Sequence, residues 1–202
     1  DEYNHWLECE CGLQAYFNAH NLSEWSYPTL PTCDEEGIRE KHCLDCKYSY
    51  EEVALISHEF EDGYCVSCNM PKPSENLYYE LLEDGTYQVS IGNCKDSFVV
   101  IPQVYDNVYV TKVAANGFAN CDFINEVFIA NTITEIGSRA FANCDNLTEV
   151  TFFKTTKLFN DQAFSSTAVS KVYFGGEIEN WIETTFVDAY ATPLNKKADV
   201  YD

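Results

Sequence analysis

The sequence predicts a mainly-β solenoid of short strands and single-turn helices, preceded by a small Cys/His-rich module. Three observations predict it. The phrase "GFANCDFINEV" (117–127) returns as "AFANCDNLTEV" (140–150) and, worn down, as "AFSSTAVSKV" (163–172). Phe118, Phe141 and Phe164 therefore keep a step of 23 residues, as do Val113, Ile136 and Phe159, and Gly117, Ala140 and Ala163. A fixed period of this length marks one supersecondary unit stacked on its own copies. Secondly, seven of the ten cysteines fall in the first 68 residues. Thirdly, Pro71, Pro73 and Ser74 break any regular element between the two regions. The organisation predicted is a Cys/His-rich module over 1–72 and a solenoid over 77–202.

The module has few aliphatic residues and no helical periodicity. So thin a core cannot offset the entropy of ordering some 70 residues, so staples are needed. Cys43-Leu-Asp-Cys46 and Cys65-Val-Ser-Cys68 are two C-x-x-C turns whose separation suits a zinc ribbon. Such a turn aims two thiolates at one point, as tetrahedral zinc requires. Cys9-Glu-Cys11 suits chelation better than a mutual disulfide. The candidate ligands are His5, Cys9, Cys11, His20, Cys33, Cys43, Cys46, His58, Cys65 and Cys68. Spacing leaves two groupings open. One sets His5/Cys9/Cys11/His20 beside Cys33/Cys43/Cys46/His58, and is preferred because four ligands fall in one compact stretch. The other is a ribbon, Cys43/Cys46/Cys65/Cys68, with Cys9, Cys11, His20 and Cys33 as a second site. Structural Zn2+ is the favoured staple and disulfides are the alternative. His42 is read as a solvated neighbour of Cys43.

From residue 77 the pattern alternates. Residues 78–82 and 87–91 flank Glu83-Asp-Gly-Thr86, a hairpin signal. Residues 98–101 and 108–110 are further strands, and 78–101 together are expected to cap the first coil. Within the coils, Leu147, Val150 and Phe152 should point inward, with Leu158 and Phe159 on a second strand. Ser138 and Asp161 are expected to cap single helical turns over 139–142 and 162–165. Cys121 and Cys144 share a repeat position with Thr167, which argues for buried reduced thiols rather than ligands. Residues 177–186 place Ile178, Trp181, Ile182, Thr185 and Phe186 on one helical face, expected to be a helix docked on the last coil. Residues 198–201 return as a strand.

Formal net charge is −21. Acids outnumber bases by 16 to 4 in residues 1–76 and by 17 to 8 in the remainder. Nucleic acid as a partner is thereby disfavoured, since binding it needs a basic footprint. No apolar run approaches a bilayer-spanning length, so no membrane insertion is expected. No Ser-His-Asp order, phosphate loop or dinucleotide fingerprint occurs, and no histidine follows His58 to activate a thiolate. The chain reads as a non-enzyme.

Two resemblances sharpen this. "HWLECECG" with His20, "PTCDEEGIREKHCLDC" (31–46) and "SHEFEDGYCVSC" (57–68) resemble Cys/His repeats of secreted gut-bacterial proteins. The glycine usual after the second cysteine of each turn is Lys47 in one and Asn69 in the other. "DGTYQVSIGNCKDSFVVIPQVYDNVYVTKVAANGFANC" (84–121) is similar to the opening of BspA-like leucine-rich repeat domains. That resemblance implies a leucine-rich-repeat solenoid that is secreted or on the cell surface (extracellular), with a protein or glycan of a host or neighbouring cell as partner. Outward alternation offers Glu126, Phe128, Thr148, Thr151, Phe153, Lys171 and Tyr173 as the binding face. The alternative is a structural spacer or a self-assembling subunit that associates through an open solenoid end.

Overall fold

The computed structural model describes residues 4–8, 14–33, 35–46, 48–194 and 199–201, with side chains for 19–33, 35–46, 48–177 and 179–194. The chain forms two compact units. One comprises Asp1–Glu59 with Val66–Cys68, the other Phe60–Cys65 with Asn69–Asp202.

In the first unit β1 (Asn4–Glu8) pairs antiparallel with β2 (Gln14–Ala19). A separate three-stranded antiparallel sheet follows, built from β3 (Ser26–Thr29), β4 (Gly37–His42) and β5 (Ser49–Ala54). β4 and β5 form a continuous hairpin, from Gly37 opposite Ala54 to His42 opposite Ser49. Gly37 is forced by packing: a Cβ there would strike the Thr29 carbonyl oxygen and the Pro31 nitrogen. Among the described side chains of this unit only Gly37, Cys43 and Ala54 are buried. Trp25 is held from outside, with the Arg39 guanidinium 4.4 Å and the Lys41 ammonium 4.9 Å from its ring centre.

The second unit opens with the small hairpin β6 (Phe60–Glu61) and β7 (Tyr64–Cys65), turned by Asp62 and Gly63, both at positive φ. After it come β8 (Tyr78–Leu81), β9 (Tyr87–Ser90), β10 (Phe98–Ile101), β11 (Val104–Tyr105) and β12 (Val108–Val113). The coils continue with β13 (Glu126–Ile129), β14 (Glu135–Ile136), β15 (Glu149–Phe153), β16 (Leu158–Phe159) and β17 (Lys171–Gly175). α1 (Ile178–Ile182), β18 (Thr185–Phe186) and β19 (Asp199–Tyr201) complete the order.

The strands stack into two sheets. One is five-stranded and parallel, in the order β10-β13-β15-β17-β19. The other runs β18-β16-β14-β12-β9-β8, parallel except for β8, with β11 folded back on β12. Alternation sends Val127, Ile129, Val150, Phe152, Val172 and Phe174 inward, all buried. Phe118, Phe141 and Phe164 stand in one column, with successive ring centres 5.1 Å apart. The period of 23 is thus the rise of one coil. Cys94, Cys121 and Cys144 are buried thiols. Cys144 gives its S–H to the Phe118 carbonyl at 3.0 Å, and burial pushes its pKa up to about 12.

Three expectations need correction. The single helical turns over 139–142 and 162–165 are tandem hydrogen-bonded turns instead. The N–H groups of Asn116, Phe118 and Asn120 donate to the carbonyls of Ser138, Ala140 and Ala142; those of Arg139, Phe141 and Asn143 donate to Asp161, Ala163 and Ser165. A helix would turn each N–H back into its own coil and leave the next coil unbonded. Left-handed residues recur in the same rhythm at Asn116 and Asn120, Arg139 and Asn143, Gln162 and Ser166. Ser138 does not cap a helix, and its hydroxyl binds Asp161 at 2.6 Å. Secondly, 78–101 is more than a cap, because β9 and β10 pair in parallel with β12 and β13 as a coil of their own. Only β8 is antiparallel. The outer edge of β10 is covered by Ser74, whose N–H reaches the Val100 carbonyl at 3.0 Å and whose hydroxyl accepts from the Val100 N–H at 3.1 Å. Thirdly, the helical face expected over 177–186 ends with α1, because Thr185 and Phe186 form β18, and β18 and β19 then continue both sheets. Trp181 from α1 packs on Phe152, Phe174 and Phe186 at 5.2–5.8 Å, whereas Ile182 is 76% exposed. Among the described residues no helix is long and apolar enough to cross a membrane.

Candidate metal centres and the outward face of the solenoid

The β4–β5 hairpin decides which ligands meet. Its turn carries Cys43 and Cys46, with the Cys43 N–H bonded to the Tyr48 carbonyl at 2.8 Å. Residues 21–23 lie against the same turn. Leu44 donates to the Asn21 carbonyl at 2.8 Å and Ser23 to that of His42 at 2.9 Å. His20 is thereby delivered beside the two thiols, and His20, Cys43 and Cys46 bring their ligand atoms within 4.8 Å of one another. Its ring stacks on Tyr48 with centres 4.0 Å apart. The backbone N–H groups of Asp45 and Tyr48 donate to the sulfurs of Cys43 and Cys46 at 3.5 and 3.4 Å.

At the open end of the hairpin a second group forms. Ser57 donates to the Thr32 carbonyl at 3.2 Å, which brings Cys33 and His58 together. The turn at Cys65–Cys68 is closed by Asn69 N–H to the Cys65 carbonyl at 2.9 Å, with Asn69 at φ 59. Asparagine tolerates this left-handed conformation, so it can stand where the resembled repeats use glycine. Cys33, His58 and Cys68, all of the first unit, have their ligand atoms within 4.8 Å of one another.

The nitrogen–sulfur separations fit a tetrahedral ion, and the first group offers three donors among the described residues. Nitrogen at about 2.0–2.1 Å and sulfur at about 2.3 Å from a common zinc, at the tetrahedral angle, lie about 3.6 Å apart. His20 Nδ1 is 3.5 Å from Cys46 Sγ, and His58 Nδ1 is 3.4 Å from Cys68 Sγ.

Neither grouping drawn from spacing matches this geometry. β4 runs from Gly37 to His42, five residue steps or about 17 Å, so Cys33 and Cys43 lie at opposite ends of it. β5 likewise separates Cys46 from His58, and the two C-x-x-C turns belong to different groups. Cys9 and Cys11 lie outside the described residues, as does the side chain of His5. The backbone of His5 pairs with Asn18, at the end of the β1–β2 hairpin nearer His20. His42 is exposed and its Nδ1 lies 3.3 Å from the Ser23 hydroxyl. Sequence reasoning missed Tyr48, whose ring and amide both serve the first group. Its place two residues after Cys46 was the available signal.

The proposed binding residues lie on or beside the outward face of the five-stranded sheet. Glu126, Glu149 and Lys171 stand in register across β13, β15 and β17, and so do Phe128, Thr151 and Tyr173. Phe153 is one step beyond, edge-on to Phe128 at 5.6 Å and lying over Gly175, where a Cβ would collide with its ring. Thr148 precedes β15, and its hydroxyl bonds the Asn125 carbonyl at 3.2 Å. All seven predicted residues are half-buried. Glu149 was not among them, although it follows Glu126 by 23 residues. It accepts an ion pair from Lys171 at 2.7 Å. Partial burial, and then the Glu149 carboxylate, hold the Glu126 carboxyl above its ordinary range, against the pull of Lys171.

Comparison with known proteins is consistent with the coil geometry. Residues 93–192 match, in six copies, the model described as BspA type leucine rich repeat region. A leucine-rich repeat protein from Bacteroides capillosus aligns at 22% identity over 62% of this chain and 93% of its own, with a TM-score of 0.50. The T. pallidum leucine rich repeat protein aligns at 20% identity and TM-score 0.46 over 54% of this chain. This chain spans 55% of that protein's length. A leucine rich cell surface protein from Faecalibacterium prausnitzii aligns at 25% identity and TM-score 0.35, over 51% of this chain and 26% of its own. No curated protein matches the sequence.

Proposed function

Because the chain is a BspA-type leucine-rich repeat protein, we propose that it is a secreted or surface-borne binding module. Its solenoid presents the outward face of the five-stranded sheet to a protein or glycan of a host or neighbouring cell. The observation that carries this reading is the aromatic band of Phe128, Phe153 and Tyr173. These residues sit on strands whose inward side chains already fill the core, and the band itself stays half-buried on the outer face. Flat aromatic rings beside hydrogen-bonding hydroxyls and a carboxylate–ammonium pair suit a sugar or a polar protein surface. The net charge of −21 argues against nucleic acid. Catalysis is not part of the reading, since the solenoid thiols are held by burial above the ordinary thiol range. The test is a panel of glycans and extracellular-matrix proteins, screened with the wild type and with Phe128→Ala/Tyr173→Ala. The double variant should bind any hit at least about tenfold more weakly, as truncating two aromatic contacts predicts, while keeping the folded circular-dichroism spectrum at the assay temperature. Equal binding by the variant would refute the assigned face.

The first unit is held, on this reading, by structural zinc in both Cys/His groups. The support is the match between the nitrogen–sulfur separations and a tetrahedral ion, together with the near absence of any apolar core among its described side chains. Elemental analysis with a thiol count tests it. Protein free of metal, with those cysteines oxidised in pairs, would mean disulfides.

A further inference from the structure

The two Cys/His groups are interleaved along the chain. His20 belongs to the first, Cys33 to the second, Cys43 and Cys46 to the first, and His58 and Cys68 to the second, with Cys65 in the same turn. The β4–β5 hairpin explains the alternation. It runs between the two groups and back, so each pass of the chain delivers ligands to opposite ends in turn. Neither group can form around a purely local stretch of chain.

We propose that the two sites form a cross-brace and load metal cooperatively, one clamping each end of the β4–β5 hairpin. This rests on the zinc reading above and adds the coupling to it. Without metal in the first group, the second must close the whole loop from Cys33 to His58, 25 residues of chain. With the first group loaded, the hairpin turn is fixed and the six pairs from His42–Ser49 to Gly37–Ala54 can zip from that end. Cys33 and His58 are then already neighbours, through the Ser57 to Thr32 bond. Closing a flexible loop of n residues costs a factor of about n to the power 3/2, which for this loop is on the order of 100-fold. That factor is the ceiling on how much the first ion can raise affinity for the second, and by reciprocity the second for the first. Packing offers little in its place, because only Gly37, Cys43 and Ala54 are buried among the described side chains of the unit.

The experiment is native mass spectrometry of the full chain during stepwise zinc removal and return. Two equal independent sites at half saturation put half of the chains in the one-zinc form, and unequal independent sites put more there. Cooperative loading with a coupling of about 100-fold should leave the one-zinc form below about a fifth, with zero-zinc and two-zinc chains dominating. A second measurement uses Cys68→Ser, a change confined to the second group. Hydrogen exchange of the Asp45 and Tyr48 amides, which belong to the first group, should accelerate at least tenfold in that variant at fixed zinc. A one-zinc population at or above half, or unchanged exchange at Asp45 and Tyr48, overturns the cross-brace while leaving zinc binding intact. A chain that takes up no zinc overturns both.

Discussion

Phe141→Ala tests whether the coils share a common interior. Phe141 is fully buried and has a ring stacked on each side, Phe118 and Phe164, both at 5.1 Å. Removing a buried phenylalanine costs about 3–5 kcal/mol through lost transfer energy and the cavity left behind. Two aromatic contacts at about 0.5–1.5 kcal/mol each place this site toward the upper part of that range. The backbone limits relaxation, because the Phe141 N–H is bonded to the Ala163 carbonyl at 2.8 Å and the Phe118 N–H to that of Ala140 at 2.8 Å. For a unit of this size about 4 kcal/mol lowers Tm by roughly 8–16 °C. Thermal and urea melts of Phe141→Ala and of the outward Thr151→Ala provide the comparison. Thr151→Ala should cost about 0.5 kcal/mol or less, the usual scale for surface changes. A loss below about 1 kcal/mol for Phe141→Ala would refute the shared column, and so would equal losses for the two variants.

Glu126 gives a pH signature opposite to that of most carboxylates. Its folded pKa lies above the unfolded value, so folding disfavours its charged form. The penalty is absent below the ordinary glutamate value of 4.5 and grows as pH rises through the folded value. Glu126→Gln should therefore raise Tm at pH 7, with the gain vanishing as pH falls below 4.5. Lys171 keeps its pair with Glu149 in the variant, so little attraction is lost. A gain independent of pH would show that the charge is not its cause. Cys144 should resist iodoacetamide in the native protein at pH 8, because burial lifts its thiol to about 12. Cys94 and Cys121, also raised by burial, should behave alike and label only after denaturation. Peptide mapping checks this, and labelling of native Cys144 at the rate of an exposed thiol would contradict it.

Much of the solenoid could be read directly from the residues. The step of 23 fixes which side chains share a column, and alternation fixes which of them face inward. The hairpin of β8 and β9 followed from its Asp-Gly turn. What the period could not reveal was the direction of the turn hydrogen bonds, because helical and tandem turns place Ala140 and Phe141 at the same spacing. The repeated asparagines Asn120 and Asn143 were the available sign, since asparagine is the commonest non-glycine residue in the left-handed region. The coil made by β9 and β10 was hidden because Phe98 to Glu126 is a step of 28, which breaks the rhythm although the strands still pair. In the first unit the ligand types were legible but their grouping was not. Spacing counts residues between cysteines without saying that an extended strand lies between them. Once β4 is placed, Cys33 and Cys43 cannot share an ion.

Cysteine serves two purposes in this chain, and the surroundings decide which. In the solenoid each coil brings its own apolar residues, and the thiols of Cys121 and Cys144 lie among them, giving their S–H to the carbonyls of Ala119 and Phe118. Desolvation then keeps them protonated, so they act as small apolar side chains. In the first unit the sulfurs of Cys43 and Cys46 receive backbone N–H groups and lie beside an imidazole, the surroundings of a metal ligand. Cysteines grouped in this way are either coordinated or exposed to oxidation. On a cell surface, where oxidation is the default, an ion that occupies all the sulfurs of a group also protects them from pairing. Stability and redox protection would then have the same origin, and the solenoid would need neither: its leading edges are covered by its own residues, β8 on β9 and Ser74 on β10.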